Sequence, residues 1–236
     1  MYNVKQFKKM KINLYFSYPS SPITINNQHD VNVFIHKVLG HNNYHDAFSN
    51  YSISSLQGGK YIGNDLIDFP NEQPWIQVSS SDSNFIFSLI MALNSTNNTL
   101  LGMKYDRFDR NDFFANENYD IIYTISPILL KDKDIKITFR DDNWIERLIS
   151  NCKDKLARLD TPIIDDTFNI EIIDIKNAKV KKITVKDNCW AIASQVILKV
   201  YGNKDTRIAL YEMGIGGSTG SGFGSVKILT NNYKYA

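Results

Sequence analysis

The sequence predicts an α+β fold in which a β-α-β-β-α-β unit occurs twice in tandem. Short segments alternate apolar and polar residues, which is typical of half-buried strands. Longer segments carry apolar residues at the 3.6-residue spacing of amphipathic helices. Strands and helices follow one another in the same order in outline in both halves of the chain. This order is the ferredoxin-like, or RRM-like, plan. It fits better than a single α/β layer, because no Rossmann-type βαβ spacing recurs.

In the first half, the pattern predicts four strands and two helices. The segment Lys11–Tyr18 alternates apolar and polar residues and is predicted to be a strand. Asp30 is expected to cap a helix that ends at Gly40, and a second helix is expected to begin at Ser81 or Asp82. The other strands of this unit are predicted at Tyr51–Leu56, Pro74–Ser79 and Leu100–Arg107.

A polar segment, Asp109–Asn118, separates the two halves and is the expected linker. We therefore predict one domain at residues 1–112 and a second at residues 119–236. In the second half, a clean helical period predicts a helix capped by Asp141. A short helix is also predicted at Asp205–Met213. The strands predicted in the second half are Tyr119–Leu130, Phe168–Ile175, Lys179–Val185, Ala191–Val200 and Ser225–Leu229.

The composition excludes several classes of protein. With 43% hydrophobic and 22% charged residues, the chain has enough apolar material for a core and is not a disordered polymer. Its net charge of only +2 means that any nucleic-acid-binding charge must be concentrated in patches. Cys152 and Cys189 are too few for a disulfide scaffold, and we expect both to be buried thiols. No signal peptide or membrane-length apolar segment is recognised, so a cytoplasmic location is expected.

A glycine tract near the carboxyl terminus is the first candidate for function. It reads GIGGSTGSGFGSV from Gly214 to Val226 and contains six glycines. Exposed backbone N–H groups in such a loop can form an anion-binding cradle, for which phosphate is the usual ligand. A Walker loop is excluded because no lysine stands in the required place, and a dinucleotide fingerprint is excluded because no helix follows. A flexible hairpin or a corner of a sheet is the alternative interpretation.

The four histidines form the second feature. All of them, His29, His36, His41 and His45, lie in or beside the first predicted helix. Imidazole is the natural general acid or base at neutral pH. On a helical wheel His36 points away from the apolar stripe, so we expect it to be exposed. No cysteine or HExxH spacing supports a metal site, so no metal and no cofactor are predicted. An ordinary surface histidine is the alternative for each of them.

A third feature is the basic segment IKNAKVKKITVK, which is rich in lysine and is predicted to form strands. It could track an RNA backbone, but a solvated strand edge with protective lysines is the alternative. The lysines and arginine concerned, including those of a preceding basic segment, are Lys131, Lys133, Lys136, Arg140, Lys176, Lys179, Lys181, Lys182 and Lys186.

Three segments, in this order, resemble the CRISPR repeat-processing endoribonucleases, the Cas-six type of repeat-associated RAMP proteins. The first, HNNYHDAFSNYSISSLQGG (His41–Gly59), looks like the family's helix-end histidine followed by a serine-rich strand and a Gln-Gly-Gly turn. The second, ISPILL (Ile125–Leu130), is similar to its Ser-Pro strand. The third is the glycine tract, which is similar to the family's glycine-rich signature. Together they span nearly the whole chain.

The resemblance implies an enzyme that binds CRISPR repeat RNA in precursor crRNA and cuts it within each repeat without a metal. The expected products carry a 2′,3′-cyclic phosphate and a 5′-hydroxyl. His45 is the implied general acid or base, His36 is the second choice, and Tyr44 would orient the phosphate or the attacking hydroxyl. Lys37 is the only lysine close to the histidines, and it is the expected RNA contact beside them. The implied RNA-binding residues of the glycine tract are Gly214, Gly216, Gly217, Ser218, Gly220, Ser221, Gly222 and Gly224, with Ser225 as a further hydroxyl donor.

A non-catalytic RAMP subunit that holds guide RNA in an effector complex is the alternative function. Such a binding module would have no need of a histidine cluster after its first helix. Other CRISPR effector subunits are further expected partners, whereas neither DNA nor a membrane is expected. A nucleotide-binding ferredoxin-like protein is disfavoured, because the sequence has no phosphate-loop lysine or cofactor motif.

Overall fold

The computed structural model describes residues 10–40, 44, 49–95, 97–111, 118–186 and 189–229. Two antiparallel sheets with helices packed on them make up most of this part of the chain. No helix in these residues is long and apolar enough to cross a membrane.

The described residues of the first half form eight strands and two helices. In chain order they are β1 (Met10–Phe16), β2 (Ile23–Thr24), α1 (Gln28–Leu39), β3 (Tyr51–Ile53), β4 (Lys60–Gly63), β5 (Leu66–Asp68), β6 (Trp75–Ser80), α2 (Ser83–Ser95), β7 (Thr99–Leu100) and β8 (Met103–Asn111).

The described residues of the second half form eight further strands and two helices. They are β9 (Tyr119–Thr124), β10 (Leu130–Asp132), β11 (Ile135–Ile137), α3 (Trp144–Ala157), β12 (Asn169–Ile172), β13 (Lys179–Lys186), β14 (Cys189–Gln195), β15 (Ile197–Tyr201), α4 (Lys204–Met213) and β16 (Val226–Ile228). A short 3-10 turn, Thr219–Ser221, precedes the last strand.

The strand order in both sheets confirms the predicted ferredoxin-like plan. The first sheet runs β3-β6-β1-β8-β7 and the second runs β12-β15-β9-β16. In each sheet the first strand of the unit pairs with the third and the fourth, and the second strand lies at an edge. Strands β2, β5 and β4 form a small additional sheet. This sheet was not predicted, because its strands are short and none of their residues is buried.

Several predicted boundaries were wrong for identifiable reasons. The segment 119–130 ends its strand at Thr124, before Ser126-Pro127, since proline cannot donate to a ladder. The segment 191–200 is divided at Val196 between β14 and β15, which belong to different sheets. Helix α1 begins at Gln28, so Asp30, the predicted cap, lies inside the helix. Asp141, the predicted cap of α3, instead accepts a hydrogen bond from the Thr138 N–H, with N···O 2.7 Å, and Asn143 is the residue that precedes α3.

The expected linker is only partly described. Strand β8 extends through Asn111 into the polar segment, which was predicted to be a linker from Asp109 onwards. Residues 112–117 lie outside the described part of the chain. The domain limits at residues 112 and 119 therefore stay a prediction, although one buried cluster draws on residues 10–103 and another on residues 122–226.

Polar side chains of β1 and β6 join the first sheet to the carboxyl-terminal part of the chain. The Lys11 ammonium donates to the Val226 carbonyl, with N···O 2.6 Å. Gln77 donates to Ser225 Oγ at 2.9 Å, and Ser79 donates to the Glu212 carbonyl at 2.7 Å. All of the first-sheet side chains in these bonds are buried. The carboxyl-terminal elements and the glycine tract are thus fixed against the first sheet.

Candidate functional site

The glycine tract lies against the amino-terminal half of the molecule. Its short helical turn contacts both α1 and β3. Thr219 Oγ1 donates to the Tyr51 carbonyl at 2.9 Å, across 168 residues of sequence. The chain therefore brings its glycine tract to the helix that carries His36.

Most of the tract is buried, so the expected exposure of its backbone N–H groups is limited to a few residues. Buried glycines of the predicted RNA-binding set are Gly214, Gly216, Gly220, Gly222 and Gly224. Several backbone N–H groups donate within the protein, among them those of Gly217 to Leu129, Gly222 to Thr219 and Gly224 to Pro127. Of the predicted set in the tract, Gly217, Ser218 and Ser221 keep accessible surface, and Ser218 is the most exposed.

Glycine is required in this tract where it approaches other protein atoms. A Cβ on Gly220 would lie 2.8 Å from two ring carbons and from the hydroxyl oxygen of Tyr51. A Cβ on Gly222, whose φ is +90°, would lie 1.7 Å from Nε2 of Gln28 in the first turn of α1. The close approach that the glycines permit is thus made to β3 and α1.

Tyr51 links the histidine helix to the glycine tract. Its hydroxyl lies 3.5 Å from Nε2 of His36 and donates to the Tyr44 carbonyl at 3.4 Å. Its ring stacks on Phe85, with centroids 4.4 Å apart. Burial raises the pKa of Tyr51, so its phenol stays protonated at neutral pH. His36 is partly buried beside this ring, and the prediction that it is exposed was wrong because the helical wheel does not include β3.

Tyr44 also lies in this cluster. Its ring meets Phe85 edge-on, with centroids 4.9 Å apart, and its hydroxyl donates to Asp82 Oδ2 at 3.3 Å. Burial, together with the neighbouring Asp82 carboxylate, raises the pKa of Tyr44. The phenol is therefore a hydrogen-bond donor rather than a base at neutral pH.

The other residues considered on the histidine side are His29, Lys37, His41 and His45. His41 and His45 lie outside the described residues. Lys37 is exposed in the last turn of α1. His29 is exposed near the start of the same helix. Among the described residues, no group of three His, Cys, Asp or Glu side chains is arranged to hold a metal ion.

Two cavities flank the exposed tip of the glycine tract. One has a volume of about 350 Å³, and its basic lining residues are Lys131 and Arg147. The other has a volume of about 190 Å³ and extends past Arg158 to Ser49, close to Tyr51. Both are lined by Gly217 and Ser218. The tip therefore stands between two polar grooves that carry cationic side chains.

The basic segment forms the hairpin of β13 and β14. Lys179, Lys181 and Lys182 are exposed on it. The ammonium groups of Lys182 and Lys136 lie 4.8 Å and 5.1 Å from the ring of Trp190, which is also exposed. Contact of these lysines with RNA stays a prediction, and a protected strand edge is its alternative.

Two residues of this region, Tyr51 and Lys155, were not predicted from the sequence, and the prediction for one cysteine was wrong. Tyr51 was indistinguishable from any other aromatic residue in a strand. Lys155 did have a signal, because it stands three residues after Cys152 on the buried face of α3. Cys152 is buried as expected, and burial raises the pKa of its thiol to about 11. Cys189 is exposed, so the prediction that it is buried was wrong.

Comparison with known proteins identifies the relatives of this chain. A family model described as "CRISPR associated protein Cas6, C-terminal" matches residues 109–228, which is more than half of the 236 residues. The CRISPR-associated endoribonuclease Cas6 1 of Methanocaldococcus jannaschii is 24% identical over 199 residues, covering 77% of this chain and 74% of that protein.

Solved structures share the fold over nearly the whole chain. One described as "CRISPR associated protein Cas6" has a TM-score of 0.78 at 20% identity and covers 93% of this chain and 99% of its own. A Cas6-related protein from Pyrococcus furiosus has a TM-score of 0.80 at 19% identity, with coverage of 94% and 99%. "An RAMP protein binding different RNA substrates" has a TM-score of 0.80 at 18% identity, with coverage of 93% and 99%. The chain belongs to the Cas6 family of CRISPR-associated proteins.

Proposed function

We propose that this chain is an endoribonuclease that binds CRISPR repeat RNA and cuts precursor crRNA within each repeat, without a metal ion. The observation that carries the proposal is the meeting of the glycine tract with the histidine helix at Tyr51. Gly220 lies on one side of the Tyr51 ring, and His36 lies 3.5 Å from its hydroxyl. A loop suited to an RNA backbone and an imidazole suited to proton transfer thus share one region.

The reaction needs two proton transfers and one in-line displacement. A base takes the proton of a ribose 2′-hydroxyl, and that oxygen forms a bond to the adjacent phosphorus. The bond from phosphorus to the 5′-oxygen breaks, and an acid protonates the leaving oxygen. The products are a 2′,3′-cyclic phosphate and a 5′-hydroxyl. Imidazole performs either proton transfer near neutral pH. We assign one transfer to His45 and make His36 the second candidate.

Tyr44 has the properties of a hydrogen-bond donor to the reacting phosphate or to the attacking hydroxyl. Its raised pKa keeps the phenol protonated, and its ring is held by Phe85. Its O–H donates to Asp82 Oδ2 without RNA and would turn to a phosphate oxygen when RNA binds, where a donor stabilises the charge that develops.

Contact with the RNA backbone is assigned to the exposed tip, Gly217 and Ser218, and to Ser221. The cationic side chains of Lys131, Arg147 and Arg158 line the cavities beside this tip. Lys37 would add a charge on the histidine side. The buried glycines of the tract give this tip its shape and do not themselves face the RNA.

The test is a cleavage assay in excess chelator, with labelled RNA that carries the repeat of the organism's own CRISPR array. Wild-type protein should cut once within the repeat. His45→Ala should lower the single-turnover rate by about 10²–10⁴-fold and leave binding nearly unchanged. The matched control is His29→Ala, which removes an exposed histidine from the start of α1 and should cut normally.

Two results would contradict parts of this proposal. RNA that is bound but stays uncut across a wide excess of wild-type protein would refute the enzyme and support the guide-RNA-binding subunit. Normal cutting by His45→Ala would refute only the assignment of His45.

A further inference from the structure

Lys155 is buried in α3, although no ion pair is found for it among the described residues. Its side chain is 6% exposed, and α3 buries Trp144, Leu148, Cys152 and Leu156 on the same face. An ammonium group in such a place costs free energy unless its protons find acceptors. Burial lowers the pKa of Lys155 to about 8 from its ordinary value of 10.5.

All four acceptors of the Lys155 ammonium belong to the end of α4 and the glycine tract. It lies 3.2 Å from the Met213 carbonyl and 3.0 Å from that of Gly214, both at the end of α4. It also lies 3.4 Å from the Gly216 carbonyl and 3.2 Å from Thr219 Oγ1. A cation at the carboxyl end of a helix is favourable, because the terminal carbonyls carry partial negative charge. The Lys155 ammonium therefore contacts the end of α4 and the residues on both sides of the exposed tip.

The contact continues to the histidine side. Thr219, which accepts from Lys155, donates to the Tyr51 carbonyl at 2.9 Å. The hydroxyl of Tyr51 in turn lies 3.5 Å from Nε2 of His36. Lys155 thus stands at the start of a chain of contacts that runs from α3 through the glycine tract to α1.

We propose that Lys155 is a positioning residue that holds the tip Gly217–Ser218 in the shape that binds RNA and sets the tract against Tyr51. The tip lies between Gly216 and Thr219, and Lys155 donates to both of these flanking residues. Lys155 also lines the cavity of about 190 Å³ beside the tip, but its described hydrogen bonds all go to protein atoms. This inference rests on the proposed function, since it names the residue that prepares the RNA-binding tip.

The experiment compares Lys155→Met with Lys153→Met, which removes an exposed lysine two residues earlier on α3. Hydrogen exchange of peptide 214–224 is measured without RNA, and affinity for repeat RNA is measured by fluorescence anisotropy. In Lys155→Met the peptide should exchange faster, and affinity should fall by roughly 10- to 100-fold, the scale of losing hydrogen bonds to a charged group. Lys153→Met should change neither by more than about twofold.

A chemical rescue separates positioning by the ammonium from general loss of packing. In Lys155→Ala, added n-propylammonium should slow the exchange of peptide 214–224 and restore affinity, whereas tetramethylammonium at equal ionic strength should not. Loop exchange and affinity in Lys155→Met equal to those of Lys153→Met would overturn the proposal.

If the Lys155 variants do not fold, Thr219→Val tests the positioning role of Lys155 instead. It removes one acceptor of Lys155 together with the donor to the Tyr51 carbonyl, which are two steps of the same chain of contacts, and leaves the three carbonyls. Faster exchange of peptide 214–224 and weaker binding would support the proposal, and wild-type behaviour in both would overturn it. Wild-type protein that binds no repeat RNA would instead refute the proposed function, and the exchange of the RNA-free protein tells the two failures apart.

Discussion

Replacing Gly220 with alanine should separate the packing role of the glycine tract from its contact with RNA. The new Cβ would lie 2.8 Å from Cε2, Cζ and the hydroxyl oxygen of Tyr51, whereas carbon atoms pack best at about 3.5–4.0 Å. The ring cannot move away freely, because it stacks on Phe85 and its hydroxyl lies beside His36. Either the tract or the ring must shift.

The expected cost is that of overpacking a filled site, about 1–3 kcal/mol of unfolding free energy. For a chain of this size, each kcal/mol lowers the melting temperature by roughly 2–4 °C. Thermal unfolding without RNA measures this cost directly. The control is Ser221→Ala, which lies in the same turn and only removes a hydroxyl group. It should melt within about 1 °C of wild type.

A double-mutant cycle tests the cause of that loss. If Gly220→Ala acts through the Tyr51 ring, it should cost much less in a Tyr51→Leu background, with a coupling energy of about 0.5–3 kcal/mol. A Gly220→Ala protein that melts like wild type, or two substitutions that are simply additive, would refute the argument that glycine is needed there for contact with Tyr51.

Three further predictions concern buried groups. Asp120 and Arg207 form an ion pair at 2.7 Å with side chains only 2% exposed, so Asp120→Ala should lower the free energy of unfolding by about 3–5 kcal/mol in urea denaturation, and a loss below about 1 kcal/mol would contradict this. Burial lowers the pKa of Lys155 from 10.5 to about 8, so between pH 8 and pH 10.5 the unfolded chain binds a proton that the folded protein does not. The free energy of unfolding should therefore rise with pH in this range, by up to about 1.4 kcal/mol per pH unit. Lys155→Met should flatten this rise between pH 8 and 9, and an unchanged slope would contradict the assignment. Cys189 should react with a thiol reagent in the native protein, whereas Cys152 should react only on unfolding, so equal labelling rates would be inconsistent with the structure.

The fold could be predicted from the sequence where one periodicity persisted over a whole element. Helix α3 has a buried stripe at regular spacing, and β1 alternates cleanly, so both were found. The pattern failed where an apolar run crossed from one sheet to another. The segment Ala191–Val200 is mostly apolar, but its two parts belong to different sheets, and no glycine or proline marks the change at Val196.

The candidate site was predictable only in outline. The glycine tract and the histidines stand out by residue type, and the structure joins His36 to the tract through Tyr51. The burial of most glycines could not be read from the sequence, because it depends on contacts with β3 and α1, which lie far away in the chain. The same holds for Lys155, whose acceptors come from a segment about 60 residues later.

The proposed reaction is attack of a neighbouring 2′-hydroxyl on RNA held where the histidine helix meets the glycine tract. A repeat RNA with a single 2′-deoxy nucleotide immediately 5′ of the scissile phosphate tests it most directly, in excess chelator and beside the unmodified RNA. The modified RNA should bind with unchanged affinity and remain uncut, and the unmodified RNA should yield a 2′,3′-cyclic phosphate end. Cleavage of the 2′-deoxy RNA at the same bond would contradict it.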